Sequence, residues 1–553
     1  MNRGLHLLAL AISALLLVPL IGIFTSLFAT DQGTWANLSR TVLPGLAANS
    51  LMLACGVAAG VAIIGTLTAW LTANNEFPGR RLLEWTLILP LAIPAYVLAY
   101  TYTDVLQYAG PVQTFLRDSF GWQKQDYWFP EIRSLGGAVG MLTLALYPYV
   151  YVIARVAFLE QSTTLNEAAR NMGLGAFSAF TRISLPLARP AIAAGVALAL
   201  METLADYGTV SYFGVPTFTT GIFNAWFSQG DRIAAAKLAV VLMGFVILVM
   251  LLEHWARRRA RFHQTAGRCH VRTDLSGAKG WLATLLCALP IVVGFAIPTL
   301  ILLKLALTEG DVQFGARFIK LAANSFGVAA ITALIAVSAA LLLAYVARSS
   351  GQRVQAWLNR LVGLGYSVPG TVIAVGILIP LIALDHFLVD SIAAIFGFKT
   401  GLILTGGLLV LIYAYLIRFL AVALQSVEAG LSKITPNMDD AARSLGSTPF
   451  EVMRDVHMPL LRTSLITAGL LVFVDVMKEL PATLVMRPFN FDTLAVQTYN
   501  LAMDERLAEA STAALVIVAV GLIPLIMASR AITKPQNYSA SNFAPVVAVA
   551  TQR

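Results

Sequence analysis

Residues 167–189, EAARNMGLGAFSAFTRISLPLAR, recur in the second half of the chain as residues 440–462, DAARSLGSTPFEVMRDVHMPLLR. The two stretches align without a gap, and a long apolar run precedes and follows each of them. A gap-free match of this length between distant parts of one chain indicates a tandem duplication.

Further pairs support the duplication. Asn49-Ser50 recurs as Asn324-Ser325, and Pro94 recurs as Pro369 at the same offset. A basic stretch separates the copies and contains Arg257, Arg258, Arg259, Arg261, Arg268, Arg272 and Lys279. We divide the chain into a first half (1–260), a linker (261–280), a second half (281–530) and a tail (531–553).

Local signals predict that each duplicated stretch folds as two short helices joined by a glycine. Together with the few residues that precede it, we call the first stretch the first elbow (residues 162–189) and the second stretch the second elbow (residues 432–462). Thr164 and Glu167 fit a capping box at the first helix. Gly173, like Gly446 in the second copy, is predicted to be the left-handed residue that ends this helix.

The second helix of each elbow has its own signals. In the second copy Thr448 is the predicted N-cap, followed by Pro449 at the first helical position and by Glu451, which completes a capping box. Pro186 and Pro459 are expected to end this helix just before the next apolar run.

Composition identifies an integral membrane protein. Of 553 residues, 58 % are hydrophobic and only 12 % are charged, against roughly 25 % charged in soluble domains. Runs of about 20 apolar residues predict transmembrane helices and exclude a β-barrel. We expect about twelve spans, near residues 5–29, 45–73, 84–108, 135–158, 187–208, 233–254, 281–307, 321–348, 357–384, 401–424, 462–484 and 509–530.

The charges predict the orientation. With the N-terminus in the cytoplasm, the cytoplasmic segments hold about 23 Lys and Arg and the opposite loops about 10, as the positive-inside rule requires. Both termini and both elbows are then cytoplasmic. Six spans per half give the two halves the same orientation, related by an axis along the membrane normal. The net charge of +9 reflects topology and does not indicate nucleic-acid binding.

Two pairs of acids follow the elbows at the same offset as the elbows themselves: Glu202 and Asp206 in span five, and Asp475 and Glu479 in span eleven. The i, i+4 spacing places the acids of each pair on one helix face. Because a carboxylate facing lipid is costly, we expect all four to line the bundle interior or an outer vestibule, where they are candidates for a cation pathway.

The alternative for these acids is structural. Lys478 lies beside Glu479, and Arg155 and Arg418 are expected near the inner ends of spans four and ten. Such cations could neutralise the acids without contacting a substrate.

No catalytic or metal site is predicted. Cys55, Cys269 and Cys287 form no cluster, and the six histidines are scattered along the chain. The sequence contains no G-x-x-x-x-G-K-[ST] phosphate-binding loop, so the chain itself is expected to bind no ATP or other cofactor.

At the elbows the sequence resembles the EAA loops of ABC-importer permeases. In that family each loop docks on a cytoplasmic ATPase subunit. The resemblance therefore implies two ATPase copies as partners, which would use the ATP, and it assigns the coupling role to Glu167, Ala168, Ala169, Gly173, Asp440, Ala441, Ala442 and Gly446. Asp440 departs from the family's glutamate and leaves its contact less defined.

Residues 202–227 and 477–499 resemble the fused two-half permeases of ferric-iron importers, and the similarity covers nearly the whole chain. It implies an all-α inner-membrane permease of bacteria with two parallel six-helix repeats. Its partners would be the lipid bilayer and a periplasmic ferric-iron-binding protein, with no nucleic acid.

Three alternatives remain at this point. Relatives of the same fused design import thiamine or other small solutes. A secondary transporter driven by an ion gradient could use the four acids as ion sites, although it would have no motor to contact the elbows. An intramembrane enzyme is disfavoured because no nucleophile and base occur together.

Overall fold

The computed structural model describes residues 3–29, 34–161, 175–258, 272–308, 315–350, 353–397 and 401–533. Within these ranges, ten helices are long and apolar enough to cross a membrane, and two bent helix pairs bring the number to twelve. The predicted all-α fold with about twelve spans is confirmed, and the chain is a multi-pass membrane protein.

The spans run as follows: one, Arg3–Thr25; two, Leu43–Asn74; three, Arg80–Thr86 and Ala95–Leu106; four, Leu135–Leu159; five, Leu185–Ala205; six, Arg232–Arg258; seven, Ala278–Ile291 and Ile297–Thr308; eight, Ala316–Ser350; nine, Gly370–Phe396; ten, Leu408–Leu431; eleven, Arg462–Met477; twelve, Leu507–Thr533.

Shorter helices connect the spans, namely Thr34–Thr41, Pro111–Phe120, Ala176–Ala179, Gly208–Tyr212, Phe218–Phe223, Arg353–Gly363, Pro436–Ser444, Pro449–Glu451, Met458–Leu460, Pro481–Met486 and Leu494–Met503. Turns of 3-10 helix occupy Ser26–Phe28, Leu89–Ala92 and Leu364–Ser367, and π-helical turns occupy Phe180–Ser184, Asn224–Ser228, Val292–Ala296 and Val452–His457. Strands Asn75–Glu76 and Thr273–Asp274 pair in parallel, which joins the end of the linker to the end of span two.

Spans three and nine were each expected as one continuous helix, and both are interrupted. The chain bends by 91° between residues 80–92 and residues 95–120. Pro94 and Pro369 have the same extended backbone, with ψ of 141° and 140°. Because proline lacks an N–H and disfavours helix in the residue before it, each proline ends the preceding turn and begins a new helix.

The two halves of the sequence do not pack as separate bodies. One core cluster joins Leu16 of span one and Leu238 of span six to spans eight to eleven of the second half. The other joins Cys287 of span seven to spans two to four of the first half. Each half therefore contributes its first span to the core of the other half.

Glycines permit this exchange where spans one and nine cross. A Cβ atom on Gly22 would lie 2.9 Å from the carbonyl oxygen of Gly376, and one on Gly376 would lie 2.7 Å from the carbonyl oxygen of Pro19. Close approach of backbones at small residues is the usual way in which membrane helices pack.

The duplicated Asn-Ser pairs perform the same task in both halves. Asn49 donates from Nδ2 to the carbonyl oxygen of Pro216 at 3.1 Å, and Asn324 donates to that of Asp492 at 3.1 Å. Ser50 and Ser325 accept from the backbone N–H groups of Phe218 and Leu494. Both pairs hold the segment that follows the acids onto the start of spans two and eight.

Candidate transport site and elbow surface

Two of the four candidate acids cap short helices. Asp206 accepts hydrogen bonds from the backbone N–H groups of Thr209 and Val210, both at 3.1 Å. Glu479 accepts from the N–H groups of Ala482 at 3.0 Å and Thr483 at 3.1 Å. The two carboxylates occupy matching positions of the repeat, and they satisfy the first N–H groups of helices Gly208–Tyr212 and Pro481–Met486.

This arrangement corrects the expectation that each pair of acids lies on one continuous helix face. Span five ends at Ala205 and span eleven at Met477, so Asp206 and Glu479 lie beyond the helix ends. A carboxylate that binds the N–H groups of the next turn favours a break at this position.

The other two acids form ion pairs with different partners. The Oε2 atom of Glu202 lies 3.2 Å from Nη2 of Arg418 in span ten, so this pair joins the two halves. The Nη1 atom of Arg418 also lies 3.6 Å from Oε1 of Glu479. Asp475 pairs within its own segment, with its Oδ1 atom 3.4 Å from Nζ of Lys478.

All four acids line one cavity between the halves, which we call the acidic cavity. Its volume is about 140 Å³, enough for several water molecules or a small hydrated ion. Its polar lining consists of Glu202, Asp206, Asp475, Glu479, Arg418, Lys478, Tyr96, Tyr149, Tyr207 and Tyr366. The expectation that the acids face the bundle interior agrees with this position, and the carboxylates outnumber the cations by two.

A second cavity of about 690 Å³ adjoins the first. Its lining includes Met201 and Val474, which precede the acids along spans five and eleven, so it lies toward the elbows. We call it the elbow-side cavity. Tyr149 of the first half and Tyr366 of the second line both cavities, and their hydroxyl oxygens lie 3.5 Å apart.

In the ranges that the structure covers, no three His, Cys, Asp or Glu side chains are placed to bind a metal ion together. The capping bonds and ion pairs occupy much of the coordinating capacity of the four acids.

Arg418 is the main residue that sequence reasoning misplaced. It was expected near the inner end of span ten, yet its buried side chain lies in the middle of the bundle, beside Glu202. An arginine inside the apolar run IYAYLIRFLAVAL was the available signal, because a charge within a span usually has a partner in the bundle interior.

Part of the first elbow lies outside the described residues, and with it the candidate coupling residues Glu167, Ala168, Ala169 and Gly173. The described part corrects one expectation. Pro186 does not end the helix there, since helix continues from Ala176 to Ala205 through a π-helical turn at Phe180–Ser184. Pro186 takes a first-turn position in the segment that begins at Leu185, where its missing N–H is tolerated.

The second elbow has the predicted local structure. Gly446 has φ of +87° and follows helix Pro436–Ser444. The backbone N–H of Thr448 donates to Glu451 at 2.7 Å, and that of Glu451 donates to the Thr448 hydroxyl at 3.4 Å, which forms the capping box. The helix ends at Leu460, one residue after Pro459, and the chain bends by 76° into span eleven.

The second elbow also presents apolar side chains at its surface. Leu445 is 87 % exposed, Phe450 is 50 % exposed and Met438 is 47 % exposed. Asp440 and Ala441 are exposed beside them, and Ala442 is half-buried. Exposed apolar side chains grouped on one folded loop are typical of a surface that binds another protein.

Comparison of the sequence with known proteins also finds two copies of one family in this chain. The family model for the inner membrane component of binding-protein-dependent transport systems matches twice, at residues 62–262 and 336–535. The Fe(3+)-transport system permease protein FbpB 2 of Haemophilus influenzae is 26 % identical over 95 % of this chain and 98 % of its own length.

Two other relatives differ in how much they cover. The ferric transport system permease protein FbpB of Actinobacillus pleuropneumoniae is 24 % identical over 87 % of this chain and 71 % of its own length. The molybdenum transport system permease protein ModB of Escherichia coli is 30 % identical, but over 37 % of this chain and 88 % of its own length. Since the family model covers most of both halves, the chain belongs to the family of binding-protein-dependent transport system inner membrane components.

Proposed function

We propose that this chain is the membrane permease of an ATP-driven importer of ferric iron and supplies both halves of the pathway. The observation that carries the proposal is the similarity to the Fe(3+)-transport system permease protein FbpB 2, which covers 95 % of this chain and 98 % of the relative. The molybdenum relative matches only 37 % of this chain, so it gives weaker support for molybdate as the substrate.

The acidic cavity supports a cation as the substrate. Its carboxylates outnumber its cations, and carboxylate and phenol oxygens are the ligands that hard cations prefer. Arg418 and Lys478 are already paired with carboxylates, which leaves little positive potential for an oxyanion. The excess negative charge would raise the local concentration of cations in the pathway.

The ATPase partner is proposed from the elbows. The second elbow is a folded loop with an exposed apolar surface, and its sequence recurs in the first elbow. Two copies of one ATPase subunit, one on each elbow, would use this repetition. ATP binding would bring the elbows together and open the acidic cavity toward the opposite side of the membrane.

The orientation follows from the charges. We place both elbows and both termini in the cytoplasm of a bacterial inner membrane, and the loop near Lys124 in the periplasm, where a ferric-iron-binding protein docks. A reporter fused after Arg261 should then be cytoplasmic, and one inserted at Lys124 should be periplasmic. Finding both reporters on the same side contradicts this topology.

Uptake by proteoliposomes tests the proposal. The permease is reconstituted with its ATPase and binding protein, and entry of radiolabelled ferric iron is measured with and without ATP. We expect uptake that requires both ATP and the binding protein, and that excess molybdate or thiamine does not reduce. Uptake driven by an ion gradient without the ATPase would instead identify a secondary transporter, and uptake of molybdate or thiamine in place of iron would reassign the substrate.

A further inference from the structure

A buried charged cluster fixes the first helix of the second elbow. Asp439 lies in the first turn of helix Pro436–Ser444. Its Oδ1 atom is 2.6 Å from Nε2 of His457, and its Oδ2 atom is 2.9 Å from Nε of Arg348. The imidazole is fully buried and the carboxylate is 11 % exposed, so water screens these bonds little.

Arg348 connects this helix to two spans. It lies near the end of span eight, and it donates from Nη1 to the carbonyl oxygen of Leu431 at 2.7 Å and from Nη2 to that of Ile434 at 2.9 Å. Leu431 is the last residue of span ten. One guanidinium therefore joins the ends of spans eight and ten to the elbow helix.

His457 connects the same helix to a third span. It ends the π-helical turn Val452–His457, which leads into span eleven. Its ring packs edge-on against Tyr345 of span eight, with centroids 5.3 Å apart. Burial opposes ionisation of Asp439, but the hydrogen bonds from His457 and Arg348 outweigh it and lower the pKa of the carboxyl group. Asp439 is therefore charged at neutral pH.

The sequence of the first half cannot form the same cluster. With the elbows aligned on each other and spans two and eight aligned on their Asn-Ser pairs, the matching residues are Ala73 for Arg348, Asn166 for Asp439 and Ser184 for His457. None of these three side chains carries a charge. Although the elbow sequences repeat without a gap, the three residues of this cluster occur only in the second copy.

We propose that Arg348, Asp439 and His457 are positioning residues that hold the second elbow against the ends of spans eight, ten and eleven, so that a displacement of the elbow moves these spans. This inference rests on the proposed function, because it takes the elbow as the contact for the ATPase. It adds a specific route, through one carboxylate, by which that contact reaches the pathway. Span eleven carries Asp475, and span ten carries Arg418.

The first experiment uses the permease alone and does not depend on an ATPase. Amide hydrogen exchange is compared between the wild type and Asp439→Asn, which keeps the size of the side chain and removes its charge. We expect exchange in residues 436–446 to be faster by roughly tenfold, because bonds to a charged group are lost. Asp439→Glu should restore most of the protection, and unchanged exchange in Asp439→Asn would overturn the inference.

Asp455→Asn is the matched control. Asp455 pairs with Arg454 at 2.8 Å on the same segment, but both side chains are more than half exposed. Its exchange and transport should match the wild type. Arg348→Lys, which keeps the charge but cannot make all three bonds at once, is a second test variant in case Asp439→Asn does not fold.

The second experiment uses the complete complex and measures iron entry per ATP hydrolysed. A purely structural defect lowers iron uptake and ATP hydrolysis together. If the elbow is no longer held against the spans, the iron transported per ATP hydrolysed falls. We expect Asp439→Asn to retain the ATPase and to reduce the ratio about fivefold or more. A wild-type ratio in this variant would overturn the inference and leave the proposed function intact. A wild-type complex without ATP-dependent iron uptake would refute the proposed function, and the exchange experiment would still decide the anchoring.

Discussion

The two pairs of acids share a position in the repeat but differ in what they contact. Asp206 and Glu479 each cap the short helix that follows, but Glu479 also lies 3.6 Å from Arg418, whereas Asp206 has no such ion pair among the described residues. Glu202 and Asp475 have diverged: the first binds Arg418 from the opposite half, and the second binds its neighbour Lys478. Backbone capping has thus survived duplication, whereas ion pairing has become asymmetric where the halves meet.

The same division appears in helices Arg80–Thr86 and Arg353–Gly363, which precede Pro94 and Pro369. Arg80 donates to Glu84 at 2.6 Å, and at the matching positions Gln355 donates to Asn359 at 3.0 Å. The hydrogen bond is present in both halves, although only the pair in the first half is charged. A hydrogen bond needs only a donor and an acceptor in place, so its geometry can persist when the charges change.

The largest effect is expected from removing the charge of Glu479. Glu479→Gln weakens a helix cap and also leaves the buried Arg418 with one carboxylate fewer, so it should destabilise the protein by about 3 kcal/mol. Asp206→Asn should cost about 1 kcal/mol or less, because asparagine is itself a good cap. Thermal melting in detergent measures both, and equal costs would contradict the proposed asymmetry.

Double-mutant cycles should separate the two ion pairs. For Arg418→Met with Glu202→Gln we expect a coupling energy of about 2 kcal/mol, because the arginine is buried. For Lys478→Met with Asp475→Asn we expect about 0.5 kcal/mol, since both side chains are about a quarter exposed and water weakens the attraction. A larger coupling energy for Lys478 and Asp475 than for Arg418 and Glu202 would contradict the expectation that the ion pair between the halves is the stronger one.

The contact between Tyr149 and Tyr366 is expected to separate the acidic cavity from the elbow-side cavity. In a variant with its native cysteines replaced and Ala205→Cys added at the wall of the acidic cavity, a thiol reagent supplied from the elbow side should label slowly. Replacing both tyrosines with alanine should raise the labelling rate roughly tenfold, which corresponds to about 1.4 kcal/mol of lost protection.

Tyr413→Ala is the matched control for that measurement. Tyr413 lies on span ten, and its hydroxyl donates to the carbonyl oxygen of Leu15, away from both cavities. When added to the Ala205→Cys variant, Tyr413→Ala should leave the labelling rate of Cys at position 205 unchanged. Equal rates in the double alanine variant would exclude the tyrosine pair as the barrier.

The smallest difference is expected between the two serines that accept backbone hydrogen bonds. Ser50→Ala and Ser325→Ala each remove the acceptor for one buried backbone N–H, so each should cost about 1 kcal/mol, and the two costs should agree within about 0.5 kcal/mol. Melting temperatures of the single variants provide the comparison. A marked difference would show that even the backbone contacts of the repeat have diverged.

Much of the site was predictable from the repeat. The constant offset between the elbows located all four acids, and local capping rules predicted the second elbow down to the bond between Thr448 and Glu451. The helix ends at Ala205 and Met477 were missed because hydropathy does not show where a carboxylate accepts hydrogen bonds from the backbone N–H groups of the following turn. The contact between His457 and Asp439 was missed because the two residues lie on different helices, beyond the reach of local sequence rules.

The sequence by itself determined the approximate number of spans, the duplication, and the glycine and proline breaks of the second elbow. These properties depend on length, periodicity and neighbouring residues, which a sequence displays directly. The tertiary structure alone decided that spans one and seven exchange between the halves and that Arg418 meets Glu202. All spans are similarly apolar, so the choice of partner depends on close contacts such as Gly22 against Gly376, between residues that are far apart in the chain.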